Sequence, residues 1–111
     1  MQPVFHRTRQ FLVECFVPGV DRRDVEAAAA RIRAATHDER ADGAAIEYLG
    51  AILLSSDEVL LHRFRADSPA VVRAACERGE IAFERVTEAV TLAGGEALDP
   101  VATGSREDTS A

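Results

Sequence analysis

Apolar and polar positions alternate with strand period at several places along the chain. From Gln10 to Val17 the residues Phe11, Val13, Cys15 and Val17 fall on one side, and Leu12, Glu14 and Phe16 fall on the other. This is the pattern of a strand with one wholly apolar face. From Glu58 to Ala66 the first half is apolar on both sides and the second half alternates. Arg63 and Arg65 decide the orientation there, because buried guanidinium groups without partners are too costly to desolvate. Leu60, His62, Phe64 and Ala66 are therefore predicted to face inward, with Val59, Leu61, Arg63 and Arg65 on the opposite side. A further strand is predicted over Ala44 to Leu54, where Ile46, Tyr48, Gly50, Ile52 and Leu54 alternate against Glu47, Leu49, Ala51 and Leu53. Gly50 in its middle marks a bulge or a close backbone contact. A last strand is predicted over Phe83 to Leu92, around Val86 and Val90, and Glu88 places it at an edge.

Between the strands the period changes to that of a helix. After the turn dipeptide Pro18-Gly19, Asp21 and Asp24 have the spacing of a capping box with Asp in place of Glu, so a helix starts near Arg22. Val25, Ala28, Ala29, Ile32 and Ala35 form its apolar stripe, the turns from Thr36 to Ala41 are polar, and Asp42-Gly43 supplies the stop. Ser55-Ser56-Asp57 is short enough to be only a hairpin loop, so its flanking strands pair antiparallel. Ser68-Pro69 is an N-cap followed by Pro at the first helical position, and Val72, Ala75 and Cys76 make a stripe that ends at Gly79.

The order strand, helix, strand, strand, helix, strand predicts an α+β, ferredoxin-like βαββαβ sandwich. Its antiparallel sheet carries both helices on one face, with the first and third strands central. Residues 10–92 form this domain, 1–9 are expected to be a flexible arm and 93–111 a disordered tail rich in Gly, Asp, Ser and Thr.

Composition narrows the partners. The 111-residue chain has 19 acidic against 13 basic residues, a net charge of -6, which argues against nucleic acid because no basic field is present to displace counterions. No segment approaches the roughly 20 consecutive apolar residues that cross a bilayer. Two cysteines, Cys15 and Cys76, without a signal-like apolar run, suit free thiols in a cytoplasmic protein.

Residues 10–92 resemble a family of small ferredoxin-like proteins of largely unknown function that includes a bacterial nickel-binding protein. The matching features are Phe11-Leu12-Val13-Glu14 with Pro18-Gly19, and Phe64, Ala66, Arg73, Gly79, Arg85 and Val86 within the segment 57–86. These are packing and turn residues, so the resemblance implies the fold more directly than an activity. Metal-binding members carry a His on the second strand, a Cys on the third and a His on the second helix. Here those positions read as Ile52, His62 and Ala75, with Cys76 beside the last.

Two constellations remain. Cys15, His62 and Cys76 are all predicted in the inner layer, and thiolate and imidazole are ligands that suit nickel or another transition metal. The bland alternative is ordinary burial, since free Cys packs like a small hydrophobe. On the outer sheet face Glu14 is expected beside Arg63 and Arg65, over an apolar floor of Leu12, Phe16, Leu49, Leu53 and Leu61. That arrangement suits either an acidic or polar small-molecule ligand or a salt bridge inside a homodimer interface. His37 is assigned to the helix C-terminus, where the dipole favours it, and His6 to the arm. No nucleophile elbow, phosphate-cradling glycine loop or paired carboxylates stand out. The expected function is a small cytoplasmic binding module with a transition metal as candidate ligand. The alternative is a dimeric α+β barrel enzyme of isomerase, cyclase or cofactor-free monooxygenase type that uses the outer face.

Overall fold

The computed structural model describes residues 9–92. The expected arm and tail lie outside the described residues, apart from Arg9, which opens the first strand. The elements are β1 (Arg9–Phe16), α1 (Arg22–Ala41), β2 (Ile46–Leu54), a 3-10 turn (Ser55–Asp57), β3 (Val59–Ala66), α2 (Pro69–Arg78) and β4 (Arg85–Ala89). The sheet order is β2-β3-β1-β4 and every pair is antiparallel. This is the ferredoxin-like α+β fold, with β1 and β3 central as the periodicity predicts. Neither helix is long and apolar enough to cross a membrane.

The helix boundaries follow from local chemistry. The Asp21 side chain accepts from the Asp24 backbone N–H and the Asp24 side chain accepts from the Asp21 N–H, the reciprocal capping box read from the sequence. Ser68 caps α2 through the Val71 N–H, with Pro69 in the first turn. The buried stripe of α1 is Ala29, Ile32, Ala35 and Thr36. Thr36 lies in the stretch read as polar, yet it buries without cost because its hydroxyl donates to the Arg33 carbonyl at 2.9 Å. Val72, Ala75 and Cys76 of α2 close over Phe11, Val13, Cys15, Leu60 and Phe64 to complete the core. Ile81 joins them, tied back by its N–H to the Cys76 carbonyl at 2.9 Å.

Two expectations about the strands need correction. In β2, Tyr48 stands opposite Phe64, but Gly50 stands opposite Arg63, so Leu49 is the extra residue of a bulge. The bulge reverses the facing of everything after it. Leu53 pairs with inward Leu60 and belongs to the helix side, whereas Ile52 and Leu54 pair with Leu61 and Val59 and belong to the outer face. Leu53 is thus no part of the outer apolar floor; it borders a small pocket with Val17 and Val20. The final strand is also shorter than expected, ending at Ala89, so Val90 lies beyond it and is exposed.

Candidate functional site

Three polar or sulfur-bearing side chains converge on the inner layer. Cys15 and His62 project from the central strands toward the helices, and Cys76 comes down from α2; all three are buried, His62 at 0% exposure. His62 stands between Val13 and Ala51 on its neighbouring strands, with Cys15 one diagonal step away opposite Leu60. Its Nδ1 shares a hydrogen bond of 2.9 Å with the Tyr48 hydroxyl, and its Nε2 has no partner among the described residues. The Tyr48 ring lies 5.8 Å from the imidazole and 5.3 Å from Phe64, both tilted. Tyr48 therefore orients His62 from the edge strand, a role its place in the alternation could not reveal.

Burial holds all four groups in their neutral forms. It lowers His62 to about 4, with the Arg31 charge adding to the effect. The Cys15 thiol is pushed up to about 11 by burial and by Glu84, and Cys76 to about 12 by burial, Cys15 and Glu77. Burial also raises the Tyr48 hydroxyl to about 12, against the pull of Arg33. Metal ligation by cysteine needs the thiolate. Without a metal both thiols are protonated, and no group of three His, Cys, Asp or Glu side chains placed to hold a metal occurs among the described residues. The positions that the family resemblance pointed to diverge as well: Ile52 lies on the outer face, while His62 and Ala75 are buried on the inner one.

The outer face is ordered in cross-strand rows. At one end Leu54, Val59 and Phe16 lie side by side; the next row is Ile52, Leu61, Glu14 and Arg85; then Gly50, Arg63, Leu12 and Thr87; and finally Glu47, Arg65, Gln10 and Ala89. The face thus grades from apolar to polar along the strands. Phe16, Ile52 and Leu54 are 58%, 45% and 40% exposed. The expected grouping of Glu14 with Arg63 and Arg65 does not form. Glu14 pairs instead with Arg85 at 2.8 Å, because β4 places that residue directly opposite it. Arg65 pairs with Glu47 across the β2–β3 ladder. Arg63, half-buried in the middle of the face, has no ion pair among the described residues and is flanked by Leu12 and Gly50. The sequence did not expose this exchange of partners because Arg85 and Glu47 act through register, which periodicity leaves open.

No family model matches the chain, and comparison with curated protein sequences finds no relative. Among solved structures, the chain is similar to SCO4226 from Streptomyces coelicolor A3(2), with a TM-score of 0.63 over 76% of this chain and 99% of that one. The two are 15% identical, a likeness that shows a shared fold alone.

Proposed function

We propose that the protein is a small cytoplasmic binding module that works as a homodimer through the outer face of its sheet. The observation that supports this most directly is the uncovered apolar row Leu54, Val59 and Phe16, continued by Ile52 and Leu61. Both helices lie over the opposite face, so nothing among the described residues covers this one. Contiguous apolar patches beyond a few hundred Å² are uncommon on soluble monomers. A two-fold pairing of identical faces buries such a patch against itself, and graded rows allow the apolar ends to meet while the charged ends stay near solvent. Buried, protonated thiols suit the reducing compartment in this reading.

A second reading rests on Arg63. Two faces closing on one another would remove this unmated guanidinium from water, and an acidic or polar small molecule held between the sheets would supply the missing charge. The protein would then be a barrel-type enzyme or carrier, with Arg63 as its anchor.

Light scattering on the eluting protein separates these states from a monomer. The wild type is expected to run as a dimer at tens of micromolar, about the range in which modest interfaces associate. Phe16→Asp should run as a monomer with an unchanged circular dichroism spectrum, because residue 16 is exposed in the single chain. A monomeric wild type at these concentrations would overturn the proposal.

A further inference from the structure

The C-terminal half of α1 and the start of β2 line an open pocket of about 340 Å³ at the sheet edge. Its walls are Arg33, Thr36, His37, Arg40, Glu47 and Tyr48. Arg33, His37 and Arg40 recur at i, i+4 and i+7, the spacing of one helical face, and all three are exposed. Three basic side chains gathered in one pocket are notable in a chain of net charge -6.

Helix-dipole compensation does not explain Arg33. The dipole favours cations in the last turn, and there Arg40 is the basic residue, whereas Arg33 stands two turns earlier. Among nearby carboxylates, Glu39 and Asp42 are both paired with Arg78, and Asp38 lines a separate groove with Arg31 and Arg78. Glu47, the one carboxylate in the pocket, is neutralised by Arg65. Arg33 has its guanidinium carbon 5.7 Å from the centre of the Tyr48 ring and no carboxylate partner among the described residues. The ring is itself held from below by the His62 hydrogen bond. A guanidinium stacked on a fixed aromatic face keeps its N–H fork available for an oxyanion.

We infer that this pocket binds a small molecule carrying a carboxylate or phosphate group, with Arg33 as the principal contact and His37 beside it. Its volume lies in the range of small-ligand sites, roughly 300–1,000 Å³. The overall negative charge disfavours a polyanionic nucleic acid as the source of the oxyanion. Arg33, His37 and Tyr48 lie on the helix side, and the pocket touches the outer face only at Glu47, at the polar end far from the apolar row of Leu54, Val59 and Phe16, so either assignment can fail without the other.

The test is backbone amide NMR of the full chain at low salt, titrated separately with inorganic phosphate and with citrate up to about 10 mM. Shifts are expected at Thr36, His37, Arg40 and Tyr48, with one probe stronger than the other according to whether the site prefers phosphate or carboxylate. Arg33→Ala should weaken binding by about tenfold or more, a loss typical of a charge-assisted hydrogen bond. His37→Gln should weaken it less, and Arg73→Ala, an exposed arginine on α2, should leave it unchanged. All three side chains are exposed, so thermal melts are expected to stay near the wild type. Absence of shifts with both probes, an undiminished response in Arg33→Ala, or an equal loss in Arg73→Ala would overturn the inference.

Discussion

The His62 imidazole has one ring nitrogen satisfied by Tyr48 and the other without a partner among the described residues. Whichever tautomer is present, one buried nitrogen stays unpaired, at a cost of about 1–3 kcal/mol. This makes the residue a local determinant of acid stability. The unfolded chain takes up the His62 proton near 6.5, while the fold holds the group down at about 4 because it is buried. Above 6.5 both states are neutral and the contribution is complete. As pH falls from 6.5 toward 4 only the unfolded state gains the proton, so stability drops by up to about 1.4 kcal/mol per pH unit and levels off below the folded value. Urea denaturation at pH 7 and pH 5 is expected to show a steeper loss in the wild type than in His62→Leu; parallel losses in the two proteins would refute the assignment. The same neutral layer leads to the expectation that protein purified without a His tag contains no stoichiometric transition metal by elemental analysis, and a metal lost on replacing His62 would show that the thiols ionise after all. The inward facing of Cys15, His62 and Cys76 was legible from alternation and helical spacing. The distances and solvation that govern what these three can ligate were not, since no pattern encodes them.

At the scale of elements, β2 carries the main departure. Gly50 adopts φ 119, a conformation open to glycine and strained for other residues. A Cβ at this position would meet nothing within 4 Å, so the cost of a substitution there is conformational and not steric. Gly50→Val is expected to lower stability by about 1–3 kcal/mol, read as a fall in melting temperature, whereas an unchanged melting temperature would show that the bulge relaxes without penalty. Gly50 marks a bulge or a close backbone contact, but strict alternation continued past it places Leu53 on the outer face, where the structure does not. A period of two has no memory of an inserted residue, so one bulge inverts every assignment downstream. The helix ends are legible in the sequence because they are local: Asp21 with Asp24, and Ser68 with Val71, interact over three residues. Alternation alone extends β4 too far because Val90 keeps the period after the ladder to β1 has ended at Ala89.

For the whole molecule the open sheet face is the dominant feature, and Arg63 is its sensitive point. If two copies pair through this face, replacing an unmated, partly desolvated charge by an apolar side chain of similar reach should favour association. Arg63→Leu is therefore expected to hold the dimer together at equal or lower concentrations than the wild type in an analytical-ultracentrifugation dilution series. Dissociation at higher concentration would indicate that Arg63 already has a mate across the interface. The sequence by itself determined the order of elements, both helix caps and the inner faces of β1 and β3, because each follows from contacts between near neighbours or from a simple period. The tertiary structure alone decided that Glu14 pairs with Arg85, that Arg65 pairs with Glu47, that Tyr48 holds His62, and that Arg33, His37 and Arg40 meet the edge of β2 in one pocket. Those outcomes join residues from different elements, and strand register together with helix placement sets their distances, which is information carried by the packed chain as a whole and by no segment of it.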